Sequence, residues 1–222
     1  AAGGIPFFGV LGMVLAIIGL CFKITAVPMH FYAPDVYQGA PTPVTAFISF
    51  MPKVAGFGAI IMLCMAVGWS GHHMIDDAGI KVPAEGLPKP VHATLWVIAV
   101  LTMILGNIGA LLQTSIKRLL AYSSISHSGY MLVGVIAGTA EGIDAVLFYL
   151  VTYGVANVAM FGVLCGLQRH GREVETLDDL SGLWKRHPGM AFVLAASSFS
   201  MLGLPPLLGF WGKMDLVVAG IT

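Results

Sequence analysis

Three lysines sit where a lysine is most costly. Lys23 follows a run from Gly4 to Leu20 that holds no charge, and Lys53 is the single charge between Pro43 and Trp69. Lys213 lies within the apolar stretch that closes the chain. An amine placed in hydrocarbon marks a functional site by default. In water it titrates near about 10.4. Desolvation or a neighbouring cation lowers that value, and an acid partner raises it. A row of such amines, with water ordered between them, can load and release protons near neutral pH. The plainer alternative for each is a side chain that snorkels its head to the surface.

Each lysine has a proline close by. Pro28 follows Lys23 by five residues, has no N–H and clashes with the carbonyl of Ile24, so the helix should break there. Pro52 directly precedes Lys53 and should free the carbonyl of Ile48, and Pro205-Pro206 come shortly before Lys213. Broken helices are tolerated at membrane depth where they are buried or line a wet cavity. His30 lies beside the first break. A fourth carrier is His127, which shares one helix face with Ser123, Ser126 and Tyr130 at spacings of three, four and seven. Its ordinary range of titration suits proton transfer, although a core histidine bonded to a neighbour is the alternative. Tyr149, Thr152, Tyr153 and Asn157 form a second polar stripe that could hold water or pack on a neighbour. The expected route therefore runs Lys23, Lys53, His127, Lys213. Its support comes from Pro28, His30, Pro52, Ser123, Ser126, Tyr130, Tyr153, Pro205 and Pro206.

The elements that must position these residues are helices in a bilayer. The chain has 222 residues, is 57% hydrophobic and only 10% charged, and its mean hydropathy is +0.88. That places it among all-α polytopic membrane proteins. Its net charge is zero, which gives no pull toward nucleic acid. A span needs about 20 apolar residues. Six segments meet that need: a broken helix over 7–38, helices over 43–69, 92–113, 119–138 and 144–167, and a second broken helix over 189–222. Residues 70–91 form a loop. His72 and His73 are adjacent in it but lack a spaced third ligand, so a solvated loop is expected rather than a metal site. Cys21, Cys64 and Cys165 lie in apolar stretches and read as small buried packing residues. The basic residues Lys117, Arg118, Arg169, Arg172, Lys185 and Arg186 put the odd-numbered connections on the cytoplasmic side. The chain does not begin with Met and starts and stops within apolar runs, so a piece of a longer protein is expected.

Four blocks carry a family resemblance: FKITAVPMHFYAPDVYQGAPTPVTAF, PKVAGFGAI, QTSIKRLLAYSSISHSGYMLVG and GLPPLLGFWGK. In this order they resemble the antiporter-like membrane subunits of proton-pumping NADH:quinone oxidoreductase (respiratory complex I). PDVYQGAPTPV is closer to the N type than to the L and M types or the Mrp antiporters. The resemblance implies two inverted repeats, each with one broken helix. Residues 1–69 would end the first repeat, and 92–222 would make most of the second. It also implies that Lys23, Lys53 and Lys213 match the lysines of the proton axis, with His127 in its centre, and that the glutamate partner of Lys23 lies upstream of this chain. Quinone, NADH, FMN and iron–sulfur clusters would belong to other subunits, with no cofactor here. The partners would be other membrane-arm subunits and the lipid bilayer. The setting would be the bacterial inner membrane in preference to an organelle. Two other functions share the same lysines: a cation/proton antiporter of the Mrp type, and a scaffold whose lysines only pair with acids. The role of Asp215 is left open.

Overall fold

The computed structural model describes residues 7–66, 74–75, 81–82, 88–169 and 172–221. His72 and His73 lie outside them. Among the described residues the fold is all-α apart from two short antiparallel hairpins, β1 (Met74–Ile75) with β2 (Lys81–Val82), and β3 (Gln168–Arg169) with β4 (Arg172–Glu173).

Among the described residues, five helices are long and apolar enough to cross a membrane: α1 (Phe7–Ile24), α3 (Thr42–Ala66), α4 (Lys89–Leu111), α5 (Ile116–Ala137) and α6 (Ala140–Gly166). The expected count of six spans is corrected here. The segment expected over 189–222 is two short helices, α8 (Pro188–Leu202) and α9 (Leu208–Ile221), neither of which reaches spanning length alone. The segment expected over 7–38 is α1 followed, after a non-helical stretch, by α2 (Ala33–Gly39). The helix expected from Asp144 starts at Ala140, because the Thr139 hydroxyl caps it by accepting from the Gly142 N–H at 3.1 Å. Between α6 and α8 lie β3 and β4, a 3₁₀ turn over Leu177–Leu180 and a one-turn helix α7 (Leu183–Arg186).

Both breaks carry a residue with positive φ and a cis X–Pro bond. In the first, Thr25 has φ 60° and the cis bond is Val27–Pro28. In the second, Gly203 has φ 90° and the cis bond is Pro205–Pro206. The Gly203 and Leu204 N–H groups turn back to the Phe199 carbonyl at 3.0 and 3.1 Å, a left-handed closure that glycine permits. Pro52 lies inside α3 without ending it, and its missing N–H leaves the Ile48 carbonyl without a helical partner. Ile48, Pro52 and Lys53 all line one cavity, so the missing backbone bond falls where α3 is not tightly walled.

α5 is the centre of the bundle. It packs on α2, α3, α4, α6 and α9. The α4–α5 approach is close because Gly106 has no side chain: a Cβ there would come within 2.7 Å of the Ser126 backbone nitrogen. On α3 the buried stripe runs Thr45, Ser49, Lys53, Phe57, Ile60 and Cys64, which is the face of a helix repeating every three to four residues. α1 buries only Met13, Ile17, Cys21 and Ile24 and leaves Phe7, Phe8, Leu11 and Leu15 exposed. Cys21 and Cys64 are buried as expected, but Cys165 is exposed, since it sits near the end of α6 on its outer face.

Candidate functional site

The site is assembled on both faces of α5. One face carries Ser124 and Ser128, four residues apart, toward α3 and the first break. The other carries Ser123, Ser126, His127 and Tyr130 toward the second break.

At the first break, Pro28 cannot donate to the carbonyl of Ile24, and α1 stops there. Three donors converge on that oxygen instead: Lys53 Nζ at 3.0 Å, the Thr25 hydroxyl at 2.6 Å and the Ser128 hydroxyl at 2.7 Å. Lys53 is 1% exposed. Its Nζ also donates to Thr25 Oγ1 at 2.8 Å, the Ser124 carbonyl at 3.0 Å and Ser128 Oγ at 2.5 Å. No carboxylate is among these acceptors. Removing an ammonium from water costs several kcal/mol, and hydrogen bonds to a charged group return about 1.5–3 kcal/mol each. This set of polar acceptors is what makes burial of Lys53 tolerable.

Lys23 differs from expectation. It was read as the buried amine of the first break, but its side chain is exposed on α1. The seat beside the break is filled by Lys53 of the next helix. Successive residues on α1 point about 100° apart, so Ile24 turns to the core while Lys23 turns out. The two lysines still meet through a cavity of about 220 Å³ lined by Lys23, Thr25, Tyr37, Pro52 and Lys53 among others. His30 is half-buried in the break, and its Nδ1 is buried with no hydrogen-bond partner among the described residues.

Beyond Lys53 the contacts are hydroxyl to hydroxyl. Tyr153 donates to Ser124 Oγ at 2.7 Å, and Tyr37 lies 3.3 Å from the same atom. Asn157 donates to the Ser49 hydroxyl. His127, 4% exposed, has Nδ1 2.6 Å from the Tyr149 hydroxyl. The rings of Tyr130, Tyr149 and Tyr153 surround it at centroid distances of 5.6, 5.9 and 5.4 Å.

At the second break the geometry recurs with a different lysine. Leu202 precedes Pro206 by four residues, as Ile24 precedes Pro28. The Leu202 carbonyl accepts from Lys213 Nζ at 3.2 Å, and the same ammonium lies 5.0 Å from the centre of the Tyr130 ring. Asn107 donates to the Tyr130 hydroxyl at 3.3 Å. A cavity of about 280 Å³ joins Lys213 to His127 and is lined by Ser123, Ser126 and Tyr130 as well. Pro205 and Pro206 lie in the turn between α8 and α9.

Thr25, Tyr37, Ser124 and Ser128 were not singled out as site residues by the spacing of charges and prolines, and Tyr149 was placed only in the second polar stripe. One signal could have found part of the set: Thr45 and Ser49 precede Lys53 by eight and four residues, and Ser124 and Ser128 repeat at four. Lys117 was also missed. It is buried at the foot of α5, donates to the Ala40 carbonyl at 3.1 Å and pairs with Glu173 at 3.2 Å. Glu173 accepts from the Thr42 hydroxyl at 2.9 Å as well. These bonds, Thr42 first and then Lys117, hold its carboxyl below the usual glutamate range. Arg118 pairs with Asp35 at 2.6 Å and so ties α5 to α2. Among the described residues, no group of three or more His, Cys, Asp or Glu is placed to hold a metal.

Comparison with known proteins gives one family and a consistent set of relatives. Residues 7–76 and 84–222 match the family described as NADH:quinone oxidoreductase/Mrp antiporter, TM. NADH-quinone oxidoreductase subunit N of Rhodospirillum rubrum is 43% identical over 227 aligned residues, which cover 100% of this chain and 42% of that protein. Subunit N of Paramagnetospirillum magneticum is 45% identical, covering 97% and 41%. The chain thus spans about two-fifths of the length of the curated relatives it matches. Among solved structures, a chain of respiratory complex I from Thermus thermophilus with bound aureothin superposes with a TM-score of 0.79 at 35% identity, covering 100% of this chain and 44% of that one. A chain of the Mrp complex from a Dietzia species superposes with a TM-score of 0.80 at 26% identity, covering 96% and 36%.

Proposed function

The chain belongs to the NADH:quinone oxidoreductase/Mrp antiporter transmembrane family, and from that membership and the geometry above we propose that it is part of a proton-translocating, membrane-arm subunit of the N type. Protons step along Lys23, Lys53, His127 and Lys213. Water in the two cavities carries the outer steps, and the hydroxyls of Ser124, Ser128 and Tyr153 fill the interval between Lys53 and His127. The subunit works in the inner membrane of a bacterium beside other membrane-arm subunits. Quinone reduction elsewhere in the complex drives it through shifts in charge pairing. In this reading, residues 1–69 end one repeat, residues 92–222 form most of the next, and an acidic residue upstream covers the exposed face of Lys23.

The observation that carries the proposal is Lys53, an amine buried at a helix break among four acceptors and no acid, with a cavity leading to a second lysine. A stand-alone Mrp-type antiporter is less well supported, since the subunit N relatives are 43–45% identical and the Mrp chain 26%. The test is Lys53→Ala in the intact complex, with proton pumping coupled to NADH oxidation measured in sealed vesicles. Loss of pumping from assembled complex is expected, and unchanged pumping removes Lys53 from the route. Lys53→Arg refines it, because arginine keeps its proton throughout.

A further inference from the structure

The four acceptors around Lys53 are of two kinds. The carbonyls of Ile24 and Ser124 can only accept, and so they serve an ammonium. The hydroxyls of Thr25 and Ser128 can accept or donate. Both are held within reach of Nζ, at 2.8 and 2.5 Å, and both have the Ile24 carbonyl within reach of their own hydrogen, at 2.6 and 2.7 Å. Ser128 has a second outlet, the Ser124 carbonyl at 3.1 Å. We propose that Thr25 and Ser128 are positioning residues that let Lys53 keep one seat with its proton on or off, an inference that rests on the reading of Lys53 as a proton carrier.

The hydrogen-bond count makes the point. A charged Lys53 has three hydrogens for the four acceptors, and each hydroxyl sends its hydrogen to a carbonyl. Once Nζ has given one proton to the route, it has two hydrogens and a lone pair. A hydroxyl then turns about its C–O bond and donates to that lone pair. The Ile24 carbonyl still accepts from the other hydroxyl. No heavy atom moves and no buried donor is left unpaired. A site built from carbonyls alone would leave the neutral amine with an unmet lone pair, and one built from a carboxylate would hold the proton in place.

The backbone supports this assignment. Thr25 is the one residue other than glycine with positive φ among the described residues. A β-branched side chain is strained there, and strain of that kind persists where the surroundings hold it and function uses it. The conformation turns the Thr25 hydroxyl inward, where the residue is buried.

Thr25→Val and Thr25→Ser test the proposal in the intact complex. Valine keeps the shape and the branched strain but has no hydroxyl, whereas serine keeps the hydroxyl and loses the branch. The rate of NADH-driven proton pumping is read in sealed vesicles across a pH series and normalised to assembled complex. Thr25→Val should lower it about tenfold, the equivalent of one hydrogen bond, and change the pH profile. Thr25→Ser should stay close to the parent. Thr25→Val matching the parent, or Thr25→Ser failing as badly as Thr25→Val, overturns the proposal. Lys53→Met in parallel separates the two levels: if it pumps normally, the reading of Lys53 itself fails; if it does not and Thr25→Val does, only the role of the hydroxyls fails. Ser128→Ala is a second, independent removal, and should act in the same direction as Thr25→Val.

Discussion

The two helix breaks solve one problem with different means. Each leaves a carbonyl four residues before a proline that cannot donate to it, and each supplies a lysine ammonium in place of the missing N–H. At the first break the lysine comes from another helix, Lys53 of α3, and two hydroxyls share the oxygen. At the second it comes from the same broken segment, Lys213 of α9 reaching back to Leu202, with the face of Tyr130 nearby. A carbonyl and a ring face both favour a cation. The first seat, with its hydroxyls, suits either charge state. The second is suited to the protonated one. A freed carbonyl thus demands a donor, but the packing around it decides which donor arrives and how freely that donor gives up its proton.

The sharpest way to break the comparison is at the second turn, whose two halves touch through backbone. A Cβ on Gly209 would run into the Ser200 carbonyl. Gly209→Ala should destabilise by about 3 kcal/mol, seen as an earlier thermal unfolding of the purified complex; an unchanged transition would show that the halves of this break are free to part. Tyr130→Leu comes next. Loss of the ring under Lys213 should cost about 1 kcal/mol, while Tyr130→Phe, which keeps the ring, should cost little. Equal effects of the two in the same unfolding assay would discard the cation–ring contact. At the first break, a Cβ on Gly56 would run into Cγ2 of the buried, β-branched Ile24 and come 3.3 Å from Lys23 Cγ. A gain in helix propensity of about 1 kcal/mol offsets part of that crowding, so Gly56→Ala should cost about 1 kcal/mol net, less than Gly209→Ala, in the same unfolding assay.

The smallest effect should lie outside the membrane, at the latch between the α2–α3 turn and the β3–β4 hairpin. Glu173 is held below its ordinary range by Thr42 and Lys117. Its contribution is therefore present above the unfolded glutamate value, about 4.3, and is lost as pH falls through the lower folded value. Glu173 is half exposed, so Glu173→Gln should cost under about 1 kcal/mol near neutral pH. Thermal unfolding of the two proteins should converge in acid. A gap that persists there would assign the effect to shape instead of charge.

Much of this was readable from residue types. Hydropathy and spacing fixed the apolar helices to within a few residues, since burial in lipid needs a set length of apolar chain. Prolines located both breaks because the missing N–H is a property of the residue. His127 and its stripe were legible because polar residues at spacings of three and four share a helix face. The sixth span was not, because two short helices in tandem have the composition of one long one. Lys23 was taken for the amine at the first break on its position in the chain, and Thr25, Ser124 and Ser128 were passed over.

By itself, then, the sequence determined the membrane class, the places where helices must stop and the carbonyls that would be left open. Only the tertiary structure decided that Lys53, and not Lys23, closes the first of them and that serines on the facing side of α5 complete its seat. The reason is physical. Helix periodicity and proline chemistry act over a few residues and can be read locally. A donor for a buried carbonyl is chosen by which side chain packing brings within about 3 Å, and Lys53 and Ser128 reach Ile24 from 29 and 104 residues away.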